Sequence, residues 1–269
     1  MESQGSLFYR GEWLEEAASG LPFLNSALFF GESTFTTMRL QGGEVLYLNY
    51  HLDRLQRSLH YLFDDFTEQR WQEISKTLQE VARTKGEGYL RVTFFKAPEE
   101  LGYFFYHRPF PSEIHQNASL TLTRSKSRKG HSIRPTYLKV SDYLDSHQEL
   151  KMAQDAGFSE VVYLDQEEKI LECTTSNLFW VNEDRIFTPS LRSGVLEGVM
   201  RRAVITALAE SSWPVTMGDY KIGELRNASE VWTSNALRGL TPVSSFEDVN
   251  YASRKIFNEV IKILRDFSS

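Results

Sequence analysis

The chain has 269 residues, of which 41% are hydrophobic and 25% charged, a balance typical of a globular protein with a sizeable core. Its net charge of −6 leaves no surplus of Lys and Arg for a phosphate backbone, so we expect no nucleic-acid partner. A single cysteine, Cys173, excludes an internal disulfide and a cysteine-rich metal site. Because no apolar run is long enough to cross a bilayer and the first residues lack a secretory signal pattern, we expect a cytoplasmic protein without membrane contact.

The first part of the chain predicts a hairpin, two helices and two further strands. Apolar residues flank two glycines in segment 33–47, which is typical of a hairpin with its tight turn at Gly42 and Gly43. An amphipathic helix follows, because leucines recur there at spacings of three and four, namely Leu52, Leu55, Leu59 and Leu62. Thr67 is the predicted cap of a second helix. This helix and the two strands are predicted over 67–83, 89–95 and 103–107.

Pro109 and Pro111 and the polar stretch after them interrupt regular structure, because proline removes a backbone donor. They divide the chain into a small N-terminal α/β domain over 1–111, a linker over 112–118 and a C-terminal domain over 119–269. The second domain is predicted to be richer in strands, at 120–123, 160–164, 177–181 and 185–188. Two core-facing helices are predicted there, after Gly198 and near 251–267.

Five groups of short patterns stand in a fixed order along the chain. They are NSALFFG at 25–31 with FTTMR at 35–39 and HLDRL at 51–55, then YLKVSDY at 137–143, LECTTSNLFW at 171–180, SGVLEGVMR at 193–201, and TSNA at 233–236 with TPV at 241–243. Together they resemble the class IV aminotransferase family, the fold type IV pyridoxal-phosphate enzymes that include aminodeoxychorismate lyases and branched-chain and D-amino acid aminotransferases. The resemblance covers most of the chain.

This resemblance implies a two-domain fold, α+β or α/β and D-amino acid aminotransferase-like. The small N-terminal α/β domain would be followed by a larger C-terminal domain that binds the cofactor and has a pseudo-barrel sheet. The resemblance also implies that pyridoxal 5'-phosphate lies between the domains and that the protein is a homodimer. Its substrate would be a small amino-acid-like molecule or aminodeoxychorismate.

Lys139, in the second group, corresponds to the family lysine that forms a Schiff base with the cofactor. Such a lysine must be neutral to attack an aldehyde, and a desolvated site lowers its pKa. The competing lysines nearby, Lys151 and Lys169, stand in a polar helix-like segment and a charged turn and are interpreted as solvent-exposed. Tyr143 corresponds to the tyrosine that hydrogen-bonds the phenolic oxygen of the cofactor, with a packed aromatic side chain as the alternative.

The resemblance assigns further residues to the cofactor. Arg54 corresponds to the arginine that binds the phosphate, although without the flanking match a solvated helix arginine is the ordinary interpretation. Glu172 corresponds to the acidic residue that keeps the pyridine nitrogen protonated, so that the ring can accept an electron pair. The other predicted contacts are Ser176, Asn177, the backbone N–H groups of Val199 and Met200 at a helix start, Ser234 and Asn235. For the last two, a polar turn is the alternative.

Two reactions fit the resemblance. The predicted substrate contacts are Phe35, Thr36, Tyr89 and Arg91. Residues 35–37 resemble the lyases, because transaminases of this fold commonly carry a glutamate where Thr36 stands, and residues 171–180 also favour the lyases. Tyr89 and Arg91 resemble a strand of the branched-chain transaminases, and Tyr143 favours transaminases as well. Leu101 departs from the lyase pattern, which carries an arginine before the glycine.

The favoured interpretation is a 4-amino-4-deoxychorismate lyase of folate biosynthesis, which releases pyruvate and forms 4-aminobenzoate with Lys139 as the proton carrier. One alternative is an amino-acid transaminase of the branched-chain or D-amino acid type. The other is a non-catalytic binding protein on the same fold, against which the presence of Lys139, Glu172 and Arg54 argues.

Overall fold

The structure is a computed structural model that describes residues 6–9, 12–15, 30–63, 66–85, 87–96, 101–109, 119–130 and 134–268. Strands β1 (Ser6–Tyr9) and β2 (Glu12–Glu15) form a separate antiparallel pair. The predicted linker 112–118 and residues 25–29 of the first pattern lie outside the described residues. The domain boundaries therefore stay a prediction.

Four antiparallel strands form the small sheet, in the order β4-β3-β5-β6. They are β3 (Ser33–Gln41), β4 (Glu44–Val45), β5 (Gly88–Lys96) and β6 (Leu101–Arg108). The predicted hairpin is confirmed, because Gly42 and Gly43 join β3 to β4 with φ angles of 62° and 81°, which favour glycine. The predicted strands over 89–95 and 103–107 are confirmed within β5 and β6.

Helices α1 (Leu48–Leu62) and α2 (Glu68–Lys85) share one apolar core with the small sheet. Alternate strand residues, among them Met38 and Leu40 of β3, point into this core, as the period of two requires. The opposite phase of β3, with Phe35 and Thr37, faces a cavity described below. The hydroxyl of Thr67 accepts a hydrogen bond from the Arg70 backbone N–H at 3.3 Å, so the predicted cap of α2 is confirmed.

Nine strands form the large, mixed sheet, in the order β12-β11-β10-β13-β14-β7-β8-β9 with β15 paired to β14. They are β7 (Leu120–Lys129), β8 (Glu160–Asp165), β9 (Ile170–Cys173), β10 (Asn177–Asn182), β11 (Arg185–Pro189), β12 (Val215–Gly218), β13 (Glu230–Asn235), β14 (Gly239–Phe246) and β15 (Val249–Asn250). The end strand β9 approaches β10, which is third from the other end. The sheet therefore curls into a half-barrel, and the predicted pseudo-barrel fold is confirmed.

Among the described residues, four helices accompany the large sheet: α3 (Leu144–Asp155), α4 (Val199–Leu208), α5 (Ile222–Arg226) and α6 (Lys255–Ser268). Helices α4 and α6 pack on the face of the sheet that presents Phe179 and Val181 of β10. The other face presents Leu178 and Trp180 to a second core. No helix within the described ranges is long and apolar enough to cross a membrane.

The sequence patterns missed five of the nine strands of the large sheet, namely β9, β12, β13, β14 and β15. Residues 233–236 were expected to form a loop or turn, but Ser234 and Asn235 belong to β13, which pairs with β14. Polar residues at the end of β13 and Pro242 within β14 conceal the strand pattern, because proline is normally excluded from sheet interiors. Helix α6 begins at Lys255, four residues after the predicted start near Tyr251.

Candidate active site

A cavity of about 500 Å³ lies between the small sheet and the curled large sheet. Its wall combines residues of β3, α1 and β5 with the segment before α3, strands β9 and β10, the start of α4 and the end of β13. Twelve of the predicted site residues line it: Phe35, Arg54, Arg91, Lys139, Tyr143, Glu172, Ser176, Asn177, Val199, Met200, Ser234 and Asn235. Residues as far apart in the sequence as Phe35 and Asn235 therefore meet around one space.

Lys139 lies on an extended segment that is attached to β3. Its carbonyl oxygen accepts hydrogen bonds from the Phe35 backbone N–H and from the Thr34 hydroxyl, both at 3.0 Å. Thr34 and Val140 also form an antiparallel bridge. These contacts fix the backbone of Lys139 against the small sheet and leave its side chain in the cavity wall.

The Lys139 amine is surrounded by aromatic side chains and a positive neighbour. It donates a hydrogen bond to the Tyr143 hydroxyl at 2.5 Å and lies 4.9 Å from the ring centre of Phe35. Burial, with a smaller contribution from the charge of Arg54, lowers the pKa of Lys139 to about 7, although Glu172 opposes the shift. Near neutral pH a large fraction of this amine is therefore unprotonated and can act as a nucleophile or a base.

Tyr143 stays protonated beside this amine. Burial raises the pKa of its phenol to about 12, with a further contribution from Glu172. Its ring contacts that of Phe35 edge to face, with the ring centres 5.8 Å apart. The tyrosine is packed against an aromatic ring and also presents a polar oxygen at the cavity, while its contact with the cofactor stays a prediction.

Arg54 projects from α1 into the base of the cavity and is only 6% exposed. Its guanidinium donates to the Thr36 hydroxyl at 3.0 Å and to the Glu197 carbonyl at 3.3 Å. Burial lowers the pKa of Arg54 to about 10, so that the group remains charged at neutral pH. It is a buried cation held in place from two sides, not a solvated helix arginine.

His51 completes this arrangement one turn earlier on α1. Burial and the charge of Arg54 hold the pKa of His51 well below its usual range, so the ring is neutral. Its Nδ1 lies 2.7 Å from the Thr36 hydroxyl. Because that hydroxyl oxygen accepts from Arg54, its own proton is free to be donated to His51.

Glu172 faces the cavity from β9. Its Oε2 accepts hydrogen bonds from the Leu196 backbone N–H at 2.9 Å and from the Asn177 amide at 3.3 Å. Burial raises the pKa of this carboxyl, while Lys129 contributes in the opposite direction. A buried carboxylate held by fixed donors is well suited to pair with a protonated ring nitrogen.

Unpaired donors gather at the start of α4 and the end of β13. Helix α4 begins after Gly198 without a side-chain cap, so the first N–H groups, including those of Val199 and Met200, have no partner within the helix. The buried Ser234 hydroxyl has no hydrogen-bond partner in the described part of the chain. Ser234 stands opposite Asn177 in the β10–β13 register. Such donors at a helix N-terminus favour an anion such as phosphate.

The glycine before α4 allows these elements to approach each other. A Cβ built at Gly198 would collide with the Asn177 amide oxygen. That amide cannot easily move away, because its nitrogen donates to the Leu196 carbonyl at 2.9 Å and to Glu172. Because it has no side chain, Gly198 lets the start of α4 pack closely against Asn177, the residue that donates a hydrogen bond to Glu172.

Two other predicted cofactor contacts are already engaged by the protein. The Ser176 hydroxyl donates to Glu160 at 3.3 Å. The Asn235 amide donates to the Thr175 carbonyl at 2.7 Å, and its oxygen accepts from the Leu237 backbone N–H at 2.9 Å. Both side chains shape the cavity wall, and their direct contact with a cofactor stays a prediction.

Of the predicted substrate contacts, Phe35 and Arg91 line the cavity, whereas Thr36 and Tyr89 are not among the described residues of its wall. The Arg91 guanidinium lies over the Phe35 ring, 3.6 Å from its centre, and donates to the Thr93 hydroxyl at 3.1 Å. Thr36 points to the α1 side of β3, where it meets Arg54. Substrate contact by Thr36 and Tyr89 stays a prediction.

Sequence reasoning missed Thr37, Lys129, Arg134 and Ser141, which also line the cavity. Thr37 stood in the FTTMR pattern, and only the phase of the strand decides that it faces the cavity and Thr36 does not. Lys129 and Arg134 had no pattern to identify them. The competing lysines lie elsewhere, since Lys151 is exposed and Lys169 pairs with Glu167 at 2.8 Å.

Within the described ranges, no group of three or more His, Cys, Asp or Glu side chains could hold a metal ion. Cys173 is buried next to Glu172, and burial holds the pKa of its thiol well above the usual range. Its side chain is packed in the core of the large sheet.

The sequence model of the family described as "Amino-transferase class IV" matches residues 33–246, most of the chain. The chain belongs to the class IV aminotransferase family. This family uses pyridoxal 5'-phosphate, and the chain is therefore a pyridoxal-phosphate-dependent enzyme of the aminotransferase and lyase type. Both the predicted family and the predicted cofactor are confirmed.

Individual relatives include both lyases and transaminases. The chain is 27% identical to aminodeoxychorismate lyase of Bacillus subtilis over 92% of this chain and 89% of that protein. Its structure is similar to that of 4-amino-4-deoxychorismate lyase from Pseudomonas aeruginosa, with a TM-score of 0.82, 23% identity, and coverage of 91% and 94% of the two chains. Branched-chain amino acid aminotransferase from Escherichia coli gives a TM-score of 0.82 at 21% identity, covering 99% and 95%. The structural similarities establish the fold.

Proposed function

We propose that the protein is a 4-amino-4-deoxychorismate lyase that releases pyruvate and forms 4-aminobenzoate. The observation that carries the proposal is the Lys139 amine, which has a pKa of about 7 and lies in a cavity also lined by Glu172 and Arg54. The 27% identity to the Bacillus subtilis lyase supports this choice of reaction. The reaction belongs to folate biosynthesis, and the expected cytoplasmic location stays a prediction.

The residues of the cavity fit the cofactor of the family. Arg54, the first N–H groups of α4 and the unpaired Ser234 hydroxyl would hold the phosphate. Glu172 would face the pyridine nitrogen, Tyr143 the phenolic oxygen and Lys139 the aldehyde. When bound, pyridoxal phosphate supplies a conjugated ring that accepts the electron pair left when a bond beside the substrate nitrogen breaks.

Lys139 would then move the proton. As a neutral amine it can take a proton from the carbon that bears the substrate amino group, and the Tyr143 hydroxyl is within hydrogen-bond distance to orient it. Loss of this proton and cleavage of the C–O bond on the neighbouring carbon make the ring aromatic and release enolpyruvate, whose methylene carbon takes up a proton, which Lys139 could return, to give pyruvate. The amino group stays on the aromatic product, so the reaction needs no 2-oxo acid as an amino acceptor.

The cations of the cavity wall fit a substrate with two carboxylates, which aminodeoxychorismate has. Arg91, Lys129 and Arg134 line the cavity in addition to Arg54 and Lys139. The positive charge of Arg134 is partly neutralised by its ion pair with Asp142 at 3.1 Å. A transaminase for branched-chain amino acids would bind the side chain on an apolar surface, which Leu138, Val140 and Leu237 of the wall could also provide, so only the additional cations favour the lyase.

An amino-acid transaminase is the second candidate. Arg91 favours it, because its guanidinium on β5 could bind a single α-carboxylate. The structural similarity to the Escherichia coli branched-chain aminotransferase covers nearly the whole chain, so a transaminase can have the same fold as this protein. A homodimer is proposed for either enzyme on the basis of the family resemblance, and sedimentation of the purified protein would test it.

Product analysis tests the proposal. Purified protein loaded with pyridoxal phosphate is incubated with aminodeoxychorismate, and pyruvate and 4-aminobenzoate are measured against amino transfer from a panel of amino acids to 2-oxoglutarate. We expect equal amounts of both products, no release with Lys139→Ala, and normal release with Lys151→Ala, an exposed lysine. Amino transfer without pyruvate release would replace the lyase by the transaminase.

A further inference from the structure

Glu197 stands where three parts of the candidate site meet. Its backbone N–H donates to the Thr136 carbonyl at 2.7 Å, three residues before Lys139. Its carbonyl accepts from Arg54 at 3.3 Å, and its carboxylate accepts from Arg57 at 2.9 Å. The SGVLEGVMR pattern contains this residue, yet neither the resemblance nor the proposed reaction gives it a role.

The ion pair of Glu197 is one link in a chain of four alternating charges. Asp53 accepts from Arg57 at 2.9 Å and from Arg202 at 2.5 Å. Asp53 and Arg57 belong to α1 beside the small sheet, whereas Glu197 and Arg202 flank the start of α4 beside the large sheet. We call Asp53, Arg57, Glu197 and Arg202 the α1–α4 clamp.

The clamp lies next to the groups that would bind the phosphate. Arg54 is the residue after Asp53 on α1, and Val199 is two residues after Glu197. These donors come from two structural units that are joined by a long stretch of chain. A phosphate that is bound from both sides requires the two units to be held at a fixed separation, because small displacements weaken charge-assisted hydrogen bonds strongly.

We propose that Glu197 is a positioning residue that, through Arg57 and the α1–α4 clamp, holds Arg54 and the start of α4 at the separation that a cofactor phosphate needs. The proposal rests on the phosphate roles given above. Exposed ion pairs contribute little singly, and these side chains are between 17% and 45% exposed. The effect should therefore be modest, sensitive to salt and confined to ligands that carry a phosphate.

The test compares two matched variants of carboxylates that accept arginine ion pairs. Glu197→Gln removes the negative charge of Glu197 from the clamp and keeps the backbone contacts of this residue. Glu247→Gln is the control, because Glu247 pairs with Arg124 at 2.7 Å, is 21% exposed against 17% for Glu197, and does not line the cavity. The dissociation constants of pyridoxal phosphate and of pyridoxal, which lacks the phosphate, are measured for the apoproteins at low and high ionic strength.

We expect Glu197→Gln to raise the dissociation constant of pyridoxal phosphate about fivefold at low ionic strength, a factor typical of a small ion-pair network. The dissociation constant of pyridoxal should stay unchanged. Glu247→Gln should change neither constant, and high salt should bring the wild-type protein toward the Glu197→Gln value. Arg57→Gln should reproduce the loss, and the double variant should lose no more than either single one. Arg57→Gln also provides the test if Glu197→Gln does not fold.

Equal losses for pyridoxal phosphate and pyridoxal, or equal effects of Glu197→Gln and Glu247→Gln, would overturn the clamp and leave the proposed function standing. Equal affinity of the wild-type protein and of Lys139→Ala for pyridoxal phosphate would count against the proposed function and leave the clamp standing, because the clamp concerns only the phosphate contacts. The two failures are therefore distinguishable.

Discussion

At Lys139 the cavity changes the chemistry of an ordinary side chain. Burial and the neighbouring Arg54 lower its pKa to about 7. The protonated amine therefore dominates below that pH, and the reactive neutral amine dominates above it. We predict that the rate at which the apoprotein captures pyridoxal as a borohydride-reducible adduct rises with pH around 7 and then levels off. Stopped-flow absorbance would measure this profile, with Lys139→Ala as the blank.

Arg54→Met should move the midpoint of the same profile upward, because it removes a positive neighbour that disfavours the charged amine. Pyridoxal is the suitable ligand here, since it has no phosphate to lose its contact with Arg54. A wild-type midpoint near that of an ordinary lysine, about 10.4, would show that the amine is not desolvated.

Thr36 provides a second prediction, because its hydroxyl lies between His51 and Arg54. Thr36→Val leaves a buried guanidinium N–H and a buried imidazole nitrogen without a partner, at a cost of about 2 kcal/mol. We expect the affinity for pyridoxal phosphate, measured by titration of the apoprotein, to fall at least about tenfold. Thr36→Ser keeps the hydroxyl and should restore most of the affinity, whereas equal losses in both variants would contradict a role for this hydroxyl.

The same residue shows what sequence reasoning could not settle about the site. Thr36 and Thr37 are adjacent and chemically identical, and only the phase of β3 directs the second into the cavity and the first toward α1. The local patterns identified Lys139, Glu172 and Arg54 because each stands in its own motif. The sequence did not predict Lys129 and Arg134 as site residues, because the cavity wall that they share with Lys139 forms only when distant segments fold together.

At the level of secondary structure, the start of α4 is the element on which the site depends most. Gly198→Ala would force a methyl group into the Asn177 amide, which is held by Leu196 and Glu172. We predict a loss of about 1–3 kcal/mol in the free energy of unfolding, measured by urea denaturation, and weaker binding of pyridoxal phosphate. Gly223→Ala in α5 is the control, because a Cβ there meets no atom within 4 Å. Equal stability of the two variants would contradict this account.

Elements with strong local signals could be predicted, whereas those that depend on distant pairing could not. The leucine spacing of α1 and the two glycines before β4 act within a few residues, and both predictions are confirmed. Strands β13 and β14 carry Thr233, Ser234, Asn235 and Pro242, which locally resemble a turn. They are strands because β10 and β7 provide the hydrogen-bonding partners on either side.

For the whole molecule, the cavity between the two sheets predicts that the cofactor stabilises the folded protein. A ligand present at about 100 times its dissociation constant adds about 2.7 kcal/mol to the free energy of unfolding. For a chain of this size we expect pyridoxal phosphate to raise the Tm by about 5 °C or more. Lys139→Ala should show a smaller rise, because it loses the covalent link, and thermal unfolding by circular dichroism would measure both. No rise in the wild-type protein would contradict a site between the sheets.

The central claim is that Lys139 holds the cofactor in this cavity, and peptide mapping tests it most directly. The protein is loaded with pyridoxal phosphate, reduced with borohydride and digested, and the modified lysine is identified by mass spectrometry. We predict one phosphopyridoxyl group per chain, on Lys139, and none on the corresponding peptide of Lys139→Ala. A label on Lys129, which also lines the cavity, or spread over exposed lysines such as Lys151 would contradict the account.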